Sequence, residues 1–232
     1  MRTTATRVII RLWYGRVVTE PASLRERKKQ RTRELIRDTA LELFAAQGYE
    51  PTTIKAVAAA ADVAPRTVTL HFPAKDDLLF ADDDPFAADR LADRLADRSP
   101  VQSALATLRS WMIDTITEID DDPARARRFW HARALRARLI SEDDGLRGRA
   151  RASYAPAEQL LAAAIAQDLR IPGDALIVRL AAHTAVAGLR ELYDSHEAKS
   201  FGPDPTPDDL IPLVEQVIAY AAAGLEAAAS GD

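Results

Sequence analysis

The sequence predicts an all-α protein: a small N-terminal unit of three helices followed by a larger helical body. Three observations carry this. From about residue 25 apolar residues recur at helical spacing, and no segment after residue 24 alternates convincingly at period two. A residue able to cap a helix is repeatedly followed by Pro, at Asp84-Pro85, Ser99-Pro100, Asp122-Pro123 and Thr206-Pro207, and helix-favouring sequence follows each pair. The 232 residues are 47% hydrophobic and 28% charged with 9 Gly, enough for one large or two small domains with a real core.

Taken in order, residues 1–24 stand apart. They favour β-branched and aromatic residues, and residues 1–33 hold ten Arg or Lys against two Glu. They are expected to be a disordered or mis-called extension, with Val17 or Val18 as the true start. A basic arm reaching a polyanion and an ordered segment remain the alternatives. The first helix places Leu35, Ile36, Thr39, Ala40, Leu43 and Phe44 on one face and stops at Gly48. In the second, Thr52 or Thr53 caps a run with Ile54, Val57, Ala58 and Ala61 on one side. Ala61-Asp62-Val63 is a tight turn. Pro65 opens a short third helix with Val68 and Phe72 inward, and Pro73 ends it. The body is read as helices near 75–83, 85–97, 100–119, 123–140, 146–168, 174–195 and 207–228, with Pro156 expected to kink or split the one that contains it. Residues 198–206 are the long irregular stretch. The expected domains are thus 25–80, with its helix-turn-helix over 53–72, and 81–232.

Charge and chemistry narrow the function. The net charge of −4 divides into +5 over residues 1–80 and −9 over residues 81–232. A basic front on an acidic body suggests a polyanion-binding module, although an acidic protein can also carry a mildly basic end. With no Cys there is no disulfide, thiolate metal site or cysteine nucleophile. His71, His131, His183 and His196 do not pair at helical ligand spacing, so no metal or cofactor is expected. No apolar run approaches the ~18 residues of a membrane span, and Arg interrupts the apolar segment near the start, unlike a secretory signal. A cytoplasmic protein with no membrane partner is expected. No nucleophile elbow, Gly-rich phosphate loop or metal spacing supports an enzyme, so a small helical enzyme is the weakest reading.

The front has the helix-turn-helix pattern. Its second helix needs an apolar inner face and a short polar outer face that enters a groove about 12 Å wide. Val68 and Phe72 supply the first. Pro65, Arg66, Thr67, Thr69, Leu70 and His71 are left outward or sideways. Arg66 can pair bidentately with a guanine edge, or merely pair with an acid; Thr offers a hydroxyl and a methyl. Thr53 and Lys75 lie where helix starts can meet phosphates. The cluster Arg25, Arg27, Lys28, Lys29, Arg31, Arg33 is either a solvated face or a set of phosphate contacts.

Residues 27–80 resemble the DNA-binding domain of the TetR family of bacterial transcriptional repressors. The matching residues are Ala40-Leu41-Glu42-Leu43-Phe44-Ala45-Ala46-Gln47-Gly48-Tyr49, then Thr52, Thr53, Ile54, Ala58, Val63, Thr67, His71, Phe72 and Lys75. The resemblance implies a homodimer reading a (pseudo)palindromic double-stranded operator, with a C-terminal domain for dimerisation and ligand sensing. It places Thr53, Thr67, His71 and Lys75 against the DNA backbone or framing the reading helix, and Pro65 and Arg66 at base-reading positions. Three departures stand out: Asp62 where the family often has Gly in the turn, Ala64 where it usually has a Ser cap, and Thr69 where it usually has Tyr.

In the body, residues 135–169 weakly resemble acyl-CoA-like ligand-binding members of that family. Residues 123–140 contain six Arg and no acid. These are read either as an outer face paired to Asp82–Asp84 and Asp120–Asp122, or as partners for the phosphates of an acyl-CoA-like hydrophobic effector. Trp111, Met112, Phe129, Trp130, Tyr154 and His183 are the candidate lining of its cavity. Small residues at Ala181, Ala182, Ala185, Ala187, Gly188, Ala219, Ala221–Ala223 and Ala227–Ala229 suggest that 174–195 and 207–228 build a four-helix dimer interface, or pack within one subunit. The function expected is a ligand-released, sequence-specific repressor. The alternative is a helical protein–protein adaptor binding through its basic front.

Overall fold

A computed structural model of the chain describes residues 24–80, 87–194 and 205–229, and every secondary-structure element among them is a helix. The expected N-terminal extension (residues 1–23), the Asp84-Pro85 pair and most of the irregular 198–206 stretch lie outside the described residues.

The head begins with α1, Leu24–Gln47. Gly48 ends it at φ +88°, a left-handed conformation that glycine adopts without a Cβ clash. Its buried stripe is Ile36, Ala40, Leu41 and Phe44, whereas Leu35 faces solvent at 50% exposure. The stripe is therefore turned toward Leu41, because α1 packs on two sides, against the head and against the body. Thr53 caps α2 (Ile54–Ala60) by accepting from the Ala56 N–H. Thr52 instead points back and donates to the Gly48 carbonyl. The helix α3 spans Pro65–His71, and α4 is described over Asp77–Phe80, starting after the expected 75, while residues 81–83 of that expected helix lie outside the described residues. Asp77 delays its start by accepting from the Ala74 N–H at 2.7 Å.

The body holds α5 (Ala88–Ala96), α6 (Ala104–Asp120), α7 (Pro123–Glu142), α8 (Asp144–Leu169), α9 (Leu176–Asp194) and α10 (Pro207–Ala229). Two of the expected cap–Pro pairs work as caps. Asp122 accepts from the N–H groups of Ala124 and Arg125, and Thr206 and Asp209 bond each other at the start of α10. Ser99-Pro100 does not start a helix. Residues 99–102 form a turn, and Ser103 caps α6 in its place. A distant side chain makes this choice: Asp168 on α8 accepts from the Ala104 N–H at 2.6 Å and from Arg98 at 2.7 Å.

Pro156 neither splits nor ends α8, which runs unbroken from Asp144 to Leu169. Buried residues on both sides, Leu146 and Ala150 before it and Leu161 and Ile165 after it, hold the two halves on the protein. The expectation about apolar runs also needs correction. Within α10, Pro207–Ala228 is long and apolar enough to cross a membrane by length and composition, with mean hydropathy 1.3. Leu210, Val214, Ile218 and Ala221 of that helix are buried in the protein core.

The buried residues form two clusters. One fills the body between α5, α6, α7, α8, α9 and α10. The other fills the head, but Leu139, Ile140, Leu146 and Ala150 from the α7–α8 corner belong to it. The core of the head is thus closed by residues of the body.

Candidate nucleic-acid interface and ligand clefts

The reading helix is set by the turn that precedes it. Asp62 adopts φ +52°, and the Val63 N–H reaches the Ala58 carbonyl at 3.0 Å while the Asp62 N–H reaches that of Ala59. This is a Schellman closure with Asp in the position that favours Gly. Ala64 gives no side-chain cap, and Pro65 takes the first helical position, where a missing N–H costs nothing. Val68 and Phe72 are both fully buried, so α3 is anchored by two side chains one turn apart.

That anchoring leaves the opposite face bare. Pro65, Arg66, Thr69 and Leu70 are exposed, Leu70 by 79%, and Thr67 and His71 are half-buried at the sides. The Arg66 side chain makes no hydrogen bond or ion pair among the described residues. The Thr69 hydroxyl lies 3.2 Å from the Arg66 carbonyl, to which it donates, a local bond that costs little to exchange. On α1, Lys28 and Lys29 are exposed beside Arg25, Arg27 and Arg31. Thr53 is exposed at the start of α2.

Two basic residues do work that the sequence did not disclose. Arg33 places its guanidinium 4.4 Å from the Phe72 ring centre and donates to the His71 carbonyl, so it clamps the end of α3. Lys75 lies before α4 rather than on it. Its ammonium sits 4.1 Å from the Tyr49 ring centre and donates to the Glu50 carbonyl, which fixes its position at the edge of the face. Tyr49 in turn donates to Asp76, and Arg149 of α8 pairs with Asp76 at 2.9 Å. Burial and the Asp76 carboxylate push the Tyr49 phenol above its ordinary pKa, so it remains a donor. Arg138 donates to the Ala45 carbonyl and His131 contacts Glu42 at 2.7 Å, both from α7 to α1. Pairs separated by 73 to 93 residues leave no local pattern to read.

Neither of the two clefts described below is lined by all the residues expected to line a ligand cavity. Trp111, Met112 and Trp130 are buried in the body core. Phe129 and Tyr154 are partly buried against it, Phe129 edge-on to Trp130 at 4.9 Å. His183 is at the surface, with Nδ1 facing the Arg179 carbonyl and Nε2 3.2 Å from Glu158. Trp111 forms part of a cleft of about 280 Å³ lined mainly by charged residues, including Arg90, Asp93, Arg94 and Arg125. Phe129 borders a second cleft of about 340 Å³, also mostly polar.

The small residues of α9 and α10 divide. Ala181, Ala182, Ala185 and Ala221 are buried within the subunit, and a Cβ on Gly188 would lie 2.7 Å from a methyl of Val217. Ala219, Ala223, Ala227 and Ala228 are exposed. The exposed residues of the two helices include the apolar Leu176, Leu180 and Tyr220, 69%, 52% and 75% exposed.

Residues 36–81 match the family described as bacterial regulatory proteins, tetR family. Over these residues the chain is similar to the N-terminal domain of the TetR family. Over 55 residues it is 51% identical to the HTH-type transcriptional regulator TcmR of Streptomyces glaucescens, which covers 24% of each protein. This chain therefore spans about a quarter of that relative in the matched region. Beyond the TetR-family domain the likeness is one of fold. The structure of the SmeT–triclosan complex superposes with TM-score 0.55 at 22% identity, over 82% of this chain and 90% of that one. Thermus thermophilus FadR, solved with lauroyl-CoA, gives TM-score 0.48 at 18% identity, over 83% and 94%.

Proposed function

We propose that the protein is a cytoplasmic, homodimeric, non-enzymatic transcriptional repressor that reads a (pseudo)palindromic operator through α3 and is released by a small effector. The observation that carries this is the bare outer face of α3, presented by two fully buried anchors inside a TetR-family domain. Arg66 and Leu70 are the base-reading groups, one for a guanine edge and one for a thymine methyl. Thr67, Thr69, His71, Lys75, Thr53, Lys28 and Lys29 meet the backbone, and Pro65 fixes where the face begins. The outward apolar side chains Leu176, Leu180 and Tyr220 support dimerisation through α9 and α10. The effector is a small hydrophobic molecule, with the acyl-CoA class as its finer form, held near Trp111, Met112, Phe129, Trp130 and Tyr154. His183 lies too far toward solvent to join them.

The test is a binding-site selection from random duplexes, followed by titration of the selected DNA. Arg66→Ala should relax preference at one base pair. Lys75→Ala should weaken all sequences alike and lower the salt dependence by about one phosphate contact. A selection that yields no enriched sequence, or Arg66→Ala binding with unchanged preference, overturns the assignment. Acyl-CoAs of several chain lengths that leave both DNA affinity and melting temperature unchanged remove that effector class.

A further inference from the structure

One cleft of about 340 Å³ lies at the junction of head and body. Gln30, Glu34, Arg37 and Asp38 enter it from α1, Arg90 from α5, and Arg125, Arg128 and Phe129 from α7. Four guanidinium groups thus share one concavity with two carboxylates. Arg37 lies 3.6 Å from Asp38. The side chains of Arg90, Arg125 and Arg128 are exposed and make no hydrogen bond or ion pair among the described residues. Asp122 caps α7 through the backbone, and Asp93, Asp97 and Glu118 line the adjoining cleft with Arg90 and Arg125. Arg90 and Arg125 also front the adjoining cleft beside Trp111, so the unpaired pair stands on the ridge between two hollows.

Like charges gathered in a hollow repel, and low-dielectric walls focus their field rather than scatter it. Such a set is stable when an anion completes it. The planar fork of guanidinium matches two oxygens of a phosphate, and several forks around one hollow match a group with several such oxygens. The volume is at the lower end of small-molecule sites and far too small for duplex DNA.

We propose that this cleft binds a small phosphate-bearing polyanion through Arg90, Arg125 and Arg128, and that its occupancy braces α1 of the head against α5 and α7 of the body. The site is separate from the DNA-reading face and touches the aromatic core through Phe129, and the proposal does not depend on the protein being a repressor. Burial pushes the carboxyl of Asp38, at the wall of the cleft, above its ordinary value despite Arg37 and Arg128 nearby.

The experiment is calorimetric titration of the full-length chain with inorganic pyrophosphate at fixed ionic strength, with melting temperature followed in parallel. Saturable binding and a raised melting temperature, both beyond what the same ionic strength of chloride produces, are expected. Arg90→Ser with Arg125→Ser should weaken binding roughly tenfold or more, since each charge-assisted pair contributes that order. Arg125→Lys keeps the charge and loses the fork, so it should fall between. Arg151→Ser, an exposed Arg on α8 outside the cleft, should bind as the parent does. Circular dichroism confirms that each variant is folded. Titrations with ATP and with coenzyme A then separate sources: tighter binding than pyrophosphate assigns a nucleotide-bearing ligand, and equal binding assigns the phosphate alone. No saturable binding of any of the three, or binding unchanged in the double variant, overturns the proposal.

Discussion

The head and the body are both helical, but they reach stability by different means. In the head, α2 and α3 have 7 residues each, too short to persist alone. They are defined by a Thr cap, a left-handed Asp, a Pro at the first position and a few large anchors, Phe44, Val68 and Phe72. In the body, α6 to α10 have 17 to 26 residues and close on one another through Ala and Gly, with Gly188 against Val217 as the tightest approach. Short helices need strong local punctuation. Long ones need a surface smooth enough to approach closely. The two are nonetheless not independent, because Leu139, Ile140, Leu146 and Ala150 complete the core of the head.

The sharpest way to break the comparison is to remove an anchor. Phe72→Ala should cost about 3–5 kcal/mol, since its ring is fully buried in the head cluster. If head and body share a core, calorimetry and far-ultraviolet circular dichroism will show one lowered transition. Two separated transitions would show that the body stands alone. The body's counterpart is Gly188→Ala, where the new methyl meets Val217 and overpacking should cost about 1–3 kcal/mol. Adding Val217→Ala should return part of that loss in chemical denaturation, a coupling expected of contacting residues.

Arg66→Ala tests the bare face instead of the core. It should leave the melting temperature unchanged and cost about 1–3 kcal/mol of binding to the selected DNA. Asp62→Gly should raise stability by up to about 1 kcal/mol, because the turn already holds φ +52° there. A destabilised Asp62→Gly would mean that the carboxylate has an unseen role. The smallest effect is at Asp38. Its folded pKa lies above 3.8, so between 3.8 and that higher value the folded chain binds more protons than the unfolded one. Stability contributed by this group therefore falls as pH rises through that window and stays reduced above it. Asp38→Asn should remove this slope from the stability–pH profile measured by urea denaturation.

Most of the head was legible beforehand because its signals are local. Gly48, Thr53, Asp62, Ala64 and Pro65 each act within a few residues, and each behaves as its chemistry suggests. The turned face of α1 was not legible. The face read from the sequence, Leu35, Ile36, Thr39, Ala40, Leu43 and Phe44, left out Leu41, and packing on two sides turns the buried stripe toward it. The sequence pointed to Ser99-Pro100 as the start of this helix; Asp168, 64 residues from Ala104, holds the start at Ser103 instead. Residues 123–140 announced a concentration of Arg, but not that two of them would meet Arg90 and Arg37 from other helices in one hollow.

What the amino-acid order determines by itself here is helical content, the stops and starts of α2 and α3 in the head, and the two-sided character of α3. These depend on backbone preferences and on side-chain spacing of 3.6 residues, which do not need a neighbour to be expressed. Tertiary structure decided which side of each long helix is buried, which of several caps is used, and which charges are paired. Arg33, Lys75 and Arg149 became fasteners, while the side chains of Arg90 and Arg125 make no hydrogen bond or ion pair among the described residues. All are alike as residues. Pairing is a matter of a few ångströms between segments far apart in the chain, and only the folded packing sets those distances.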